Sequence, residues 1–127
     1  MTLDNVPFAK LLGIEVEAVE PGHAVLTMPI RSELKQNHGV AHGGSIAAVI
    51  DSAMALAIMP MLAENERTTT VDLTIHYLRP LTQGTARASA RVVRAGKRVI
   101  TVSAELVDDQ GKLAATAIST YLRLSHG

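Results

Sequence analysis

Cysteine and tryptophan are absent, and one phenylalanine and two tyrosines are the only aromatic side chains in 127 residues. Without cysteine there are no disulfides, no thiolate nucleophile and no cysteine metal site. Without aromatic clusters there is no base-stacking surface and no platform for a sugar ring. Net charge is missing too, since twelve basic side chains balance twelve acidic ones. Such a chain carries no electrostatic footprint for nucleic acid or for an anionic membrane, so an anionic ligand must be met by a local patch. The first residues, Met1 to Pro7, lack a basic region followed by an apolar core, so no secretory leader is visible and a cytoplasmic protein is expected. No uninterrupted apolar run is long enough for a membrane span: residues 45–63 come closest, and Asp51, Ser52 and Pro60 break them. They read as a helix buried in protein. The length suits one domain over residues 1–127, able to bury about two-thirds of its unfolded surface.

What is present is ordered by its turns. Pro7 to Leu12, closed by Gly13, reads as a short helix with proline at its start and glycine at its stop. Residues 14–20 and 24–30 are strand-like on either side of Pro21-Gly22, which suggests a hairpin. A polar loop, 31–41, feeds the long helix, and Glu64 to Arg67 form a charged connection after it. Val71, Leu73, Ile75 and Tyr77 then alternate with polar residues, as do Ala86, Ala88, Ala90 and Val92, and again Ile100, Val102, Ala104 and Leu106. The alanines would let a helix approach closely. Asp108 to Gly111 makes a turn, and residues 112–124 are a last strand. Two strands, a long helix and four more strands predict an α+β fold, a mostly antiparallel sheet with one central helix.

The chemistry concentrates around that helix. Asp51 is one acid among Ile46, Val49, Ile50, Ala53, Met54 and Leu56, and a carboxylate there must find partners or water. Gly43 and Gly44 open the helix without side-chain bulk, leaving first-turn N–H groups accessible to a ligand oxygen. Donors placed for a tetrahedral oxyanion lower an acyl-transfer barrier by about 3–4 kcal/mol, and the Gly43 N–H is the chosen donor. Asp51 lies eight residues beyond it, roughly 12 Å along the axis at about 1.5 Å per residue. One helix cannot bring both to one carbonyl. If they cooperate, they come from two subunits, which predicts a homodimer with two symmetry-related interfacial sites, a tetramer remaining open.

Gln36-x-x-Gly39-x-x-His42-Gly43-Gly44, with an acid nine residues after the histidine, resembles the hotdog-fold acyl-CoA thioesterases of the PaaI-like, phenylacetate-pathway family. The likeness runs from about Leu11 to Leu124 and includes Val71 to Pro80, similar to the family's strand after the helix. It implies a hotdog fold and hydrolysis of an acyl-CoA to a carboxylate and free coenzyme A, with no further cofactor. It also implies roles. Asp51 attacks the thioester carbonyl or activates water, Gly43 polarises that carbonyl, and Gln36 positions thioester or water. His42 orients its surroundings, and Thr70 stands where some relatives place a hydroxyl near the attacking water. Ile46 and Ala47 stand where the family has an aromatic residue. Gly44, Met54 and Ala55 are expected beside the acyl group. Arg94-Ala95-Gly96-Lys97-Arg98 offers cations around a glycine for the phosphates of coenzyme A, with Gly96, Lys97 and Arg98 as the chosen residues.

Other chemistries find less support. The five histidines, at 23, 38, 42, 76 and 126, lack the spacing of a zinc cluster. Ser45, Ser52 and Ser103 have no nucleophile elbow around them. A non-catalytic acyl-CoA sensor would need a DNA-binding segment, and a hydratase on the same fold would need histidine and acid poised over the acyl chain. The chain has neither spare length nor basic charge for the first, the second stays open, and thiol release from an acyl-CoA separates both from a thioesterase. His38 and His76 are expected in solvent.

Overall fold

The computed structural model describes Leu3 and residues 5–125; Met1, Thr2, Asp4, His126 and Gly127 lie outside the described residues. Helix α1 (Pro7–Leu12) begins on its proline and ends on Gly13, whose φ of 74° supplies the left-handed stop. Strands β1 (Glu15–Glu20) and β2 (His23–Pro29) form the expected hairpin. A loop with a single 3-10 turn at Ser32–Leu34 leads into α2 (Gly43–Ile58). A second 3-10 turn, Met59–Met61, contains Pro60 and ends the helical stretch. Strands β3 (Glu66–Tyr77), β4 (Thr85–Ala95), β5 (Val99–Val107) and β6 (Leu113–Ser125) follow.

The six strands make one sheet in the order β1-β2-β4-β5-β6-β3, antiparallel throughout. This is the hotdog arrangement, with the sheet wrapped on α2. The helix lies across β2, β4 and β5 because those strands present Ala24, Leu26 and Met28, then Ala86, Ala88 and Ala90, then Ile100, Val102, Ala104 and Leu106, all buried. From the other side α2 contributes Ile46, Val49, Ile50, Ala53, Met54, Leu56, Ala57 and Ile58. Each large aliphatic side chain among them contributes about 1.5–3 kcal/mol on leaving water. Gly43–Met61 is apolar and long enough to cross a membrane, but half of it is buried within the fold. Its C-terminal end is closed by the first hairpin, where the Gly22 N–H donates to the Ala57 carbonyl at 2.9 Å.

Two features of β3 depart from expectation. The strand begins at Glu66, inside the segment expected to be a charged connection, because that carboxylate is tied down. It accepts from the Ala63 N–H at 2.9 Å and pairs with Arg123 of β6 at 3.0 Å, both side chains being largely buried. The second is a bulge between Thr70 and Asp72. It takes Val71, expected inward, out of the alternation and leaves it 54% exposed. Residues 73, 75 and 77 face the helix, and the extra residue returns Thr70 to that same face, where plain alternation would have turned it away.

The alanine stripe sets how closely α2 sits. Ala88→Leu or Ala90→Leu overpacks that layer and is expected to destabilise the fold by about 1–3 kcal/mol, read as a lower urea midpoint with an unchanged slope.

Candidate active site

The N-terminal end of α2 is built by its preceding loop. The Ala41 N–H donates to the Leu81 carbonyl at 2.8 Å and the His42 N–H to the Leu34 carbonyl at 2.7 Å, fixing the direction in which the chain enters the helix. His42 is the N-cap, and its Nδ1 accepts from the Gly44 N–H at 2.9 Å. A neutral ring doing so carries its proton on Nε2. This uses the Gly44 donor and leaves the Gly43 N–H without a hydrogen-bond partner among the described residues. The Gly43 carbonyl accepts from the Tyr77 hydroxyl at 2.8 Å, so the end of β3 pins the helix at its first residue. A cavity of about 310 Å³ opens here, lined by Gln36, Gly43 and Tyr77 with Val40, Ile46, Leu81 and Leu106 as an apolar wall. Gln36 and Gly43 are thus brought together, and the side chain of Gln36 is exposed.

Asp51 sits two turns further on, half-buried. Its Oδ1 accepts from the Thr70 hydroxyl at 3.0 Å and from the Tyr121 hydroxyl, which also reaches the Asp51 main-chain carbonyl at 3.0 Å. Thr70 and Tyr121 are cross-strand partners on β3 and β6, so the two donors arrive side by side. Tyr121 is 1% exposed, and burial, reinforced by the neighbouring carboxylate, pushes its phenol well above the ordinary tyrosine range. The hydroxyl is therefore a donor at any working pH. No expectation from sequence included Tyr121.

The two groups do not meet within one chain. Thr70 and Tyr121 lie on one row of the sheet, whereas Tyr77 pairs with Ala115, several rows away. The sheet thus repeats the separation that the helix rise imposes. The basic turn lies on the Asp51 side: Ile100 pairs with Tyr121, and the Arg123 N–H donates to the Arg98 carbonyl at 2.8 Å. Lys97 and Arg98 are exposed, with no ion-pair partner among the described residues. Gly96 offers a ligand no free backbone group. Its N–H donates to the Val99 carbonyl at 2.9 Å, and its carbonyl accepts from Arg123 Nε at 3.0 Å. A Cβ there would stand 2.8 Å from the Val99 oxygen, so glycine serves the tightness of the turn.

Met54 is fully buried in the core and Ala55 half-buried; neither lines the cavity beside Gly43. His38 and His76 are exposed, and among the described residues no group of three or more His, Asp or Glu is placed to hold a metal ion. On the outer face His23 Nε2 lies 3.1 Å from Ser89 Oγ and its Nδ1 3.3 Å from Glu20. Strands β2 and β4 are each paired on both sides there.

The profile of the Thioesterase superfamily matches residues 38–115, a span that holds His42, Gly43, Asp51 and Thr70 but neither Gln36 nor Tyr121. The chain belongs to that superfamily, and its chemistry is thioester hydrolysis. It is 33% identical over 114 residues to the acyl-coenzyme A thioesterase PaaI of Escherichia coli, covering 88% of this chain and 79% of that one. Among solved structures it resembles a point mutant of the phenylacetic acid degradation protein PaaI of Thermus thermophilus. That likeness has a TM-score of 0.86 and 35% identity, over 93% of this chain and 99% of the other. The thioesterase HI1161 of Haemophilus influenzae superposes with a TM-score of 0.91 at 25% identity, over 97% and 86% of the two chains.

His42→Ala removes the cap and frees a second donor, and is expected to cost about 0.5–2 kcal/mol of stability. A thermal melt indistinguishable from that of the unaltered protein would contradict the capping role.

Proposed function

We propose that this chain hydrolyses acyl-CoA thioesters in the cytoplasm as a homodimer or higher homo-oligomer, each site being completed by two subunits. The observation that carries the reading is a Gly43 N–H left unpaired among the described residues, at a cavity that mixes apolar side chains with Gln36, Tyr77 and Arg79, in a chain whose candidate acid stands two turns away. In the composite site, one copy supplies Gly43, with Gln36 and His42 shaping its surroundings. The other supplies Asp51, Thr70 and the basic turn, with Lys97 and Arg98 toward the phosphates of coenzyme A. The carbonyl oxygen lies against the Gly43 N–H and the helix dipole, which favour the negative charge that grows on it. Asp51 either takes a proton from water, whose oxygen adds to the carbonyl carbon, or adds to that carbon itself. In both modes the C–S bond then breaks, coenzyme A leaves as its thiolate and is protonated, and in the second mode water cleaves the acyl-aspartyl bond.

The open edge of β3 supports the pairing. It is twelve residues long, bonded to β6 on one side only. If β3 pairs with its own copy antiparallel about a two-fold axis at Thr74, then Tyr77 of each copy comes opposite Val71 of the other. That brings the Gly43 end of one helix toward the Asp51 row of the second. The same pairing covers Val71 and Tyr77, 54% and 55% exposed in the single chain, and removes an unprotected sheet edge.

Asp51→Ala is expected to lower kcat by orders of magnitude with KM little changed, measured as thiol release from acyl-CoA. Gly43→Pro deletes the donor N–H at the first helical residue, where no helical bond is lost and His42 already has the extended backbone that precedes proline, ψ 135°. A Cβ there stands 3.3 Å from the Tyr77 ring, which has to give by a few tenths of an ångström, so the fold of this variant is checked first by melting. Co-expressing the two variants restores one intact site in each mixed dimer, about a quarter of normal activity at random pairing. Mixed dimers that form and stay inactive would sink the two-subunit site.

Lys97→Ala with Arg98→Ala is expected to raise KM for an acyl-CoA about tenfold or more while sparing a pantetheine thioester of the same acyl group. Equal losses on both substrates would remove the turn from phosphate binding.

A further inference from the structure

Asp51 has two carboxylate oxygens in unlike surroundings. Oδ1 accepts two hydroxyl hydrogen bonds, from Thr70 on β3 and Tyr121 on β6. Oδ2 accepts none among the described residues, and it is absent from the buried unpartnered polar atoms, so it keeps contact with solvent. A carboxylate rotates about its Cβ–Cγ bond unless something holds it. Here the single proton of a buried phenol goes to Oδ1 by the shorter contact, with the backbone carbonyl of the same residue also within reach at 3.0 Å. That contact fixes the carboxylate plane relative to the helix axis.

We infer that Tyr121 is a positioning residue for thioester hydrolysis: with Thr70 it occupies Oδ1 of Asp51 and turns Oδ2 outward as the oxygen that takes the proton from water or bonds to the carbonyl carbon. The inference rests on Asp51 being the catalytic acid, and it adds a residue outside the superfamily match. Two donors on one oxygen draw charge toward Oδ1, so Oδ2 depends on orientation for its effectiveness. The gain is that the reacting oxygen does not have to be selected from a rotating pair at each turnover. The bulge at Val71 belongs to the same device, because it brings the Thr70 hydroxyl to the helix side of the sheet. The phenol stays protonated because it is buried beside a negative charge, so its donation does not lapse as pH rises.

The test begins with thiol release by the unaltered protein on a panel of acyl-CoA thioesters; no turnover on any of them sinks the functional reading and this inference with it. Given turnover, Tyr121→Phe is expected to lower kcat about 10- to 100-fold with KM within about twofold, the scale of a hydrogen bond to a charged group. In an Asp51→Asn background the same change is expected to have almost no further effect on residual turnover, since there is no reacting carboxylate left to orient. If Tyr121→Phe does not fold, as judged by melting and chromatography, Thr70→Val removes the other donor and is read in the same way. A Tyr121→Phe protein with normal kcat overturns the inference and leaves thioester hydrolysis standing. So does an equal loss in the Asp51→Asn background, which would mark the tyrosine as a general packing residue. A complex with a non-cleavable ketone analogue of an acyl-CoA, a methylene standing between the carbonyl and the sulfur, in which Oδ1 faces the carbonyl carbon also overturns it.

Discussion

Both halves of the proposed site are referred to the position of one helix on one sheet. Helix α2 carries both the unpaired N–H of Gly43 and the carboxylate of Asp51. Its own rise keeps them apart, so the sheet has to hold each in place separately. It does so with the only two tyrosines in the sequence. Tyr77, at the end of β3, donates to the carbonyl of the first helical residue, and Tyr121 of β6 donates to the acid two turns on. Each phenol is a rigid spacer with a polar tip, able to cross from sheet to helix and end on one oxygen.

The loop before the helix follows the same economy of donors. A helix start has more N–H groups than it can satisfy, and the imidazole of His42 takes the one belonging to Gly44. What remains unpaired at the helix start, among the described residues, is the Gly43 N–H, at a cavity lined by both apolar and polar side chains. The two glycines are therefore not equivalent. The Gly44 N–H is used within the fold, and the Gly43 N–H is not.

Much of this is legible in the residues. Pro7 and Gly13 bracket a helix, Pro21-Gly22 makes a hairpin turn, and the alternation in β4 and β5 gives the inward face without error. The His-Gly-Gly start, the acid in the apolar run and the family likeness lead to the hotdog arrangement and to thioester chemistry. Alternation specifies a face but not a defect in it. The bulge at Val71 leaves no mark in a row of β-branched and polar residues, so alternation alone puts Val71 inside and does not yield the orientation of Thr70. The start of β3 at Glu66 depends on Arg123, far along the chain, as does the grip of Tyr121 on Asp51 on a partner 70 residues away. A lone tyrosine in a strand reads as core. Only the register of β6 against β3 reveals that its hydroxyl ends on the carboxylate.

The alanines of β4 acquire a second meaning once the tyrosines are considered together with them. Ala86, Ala88 and Ala90 set the height of α2 above the sheet, and a phenol has a fixed length. Helix height is therefore a shared coordinate for folding and for chemistry. Raising the helix by the thickness of a methyl group or two would stretch both tyrosine contacts at once, although neither tyrosine has been touched. A library that enlarges this stripe and is sorted for folded protein alone would accumulate sound scaffolds with loosened carboxylates. Sorted for turnover, the same library would return to alanine.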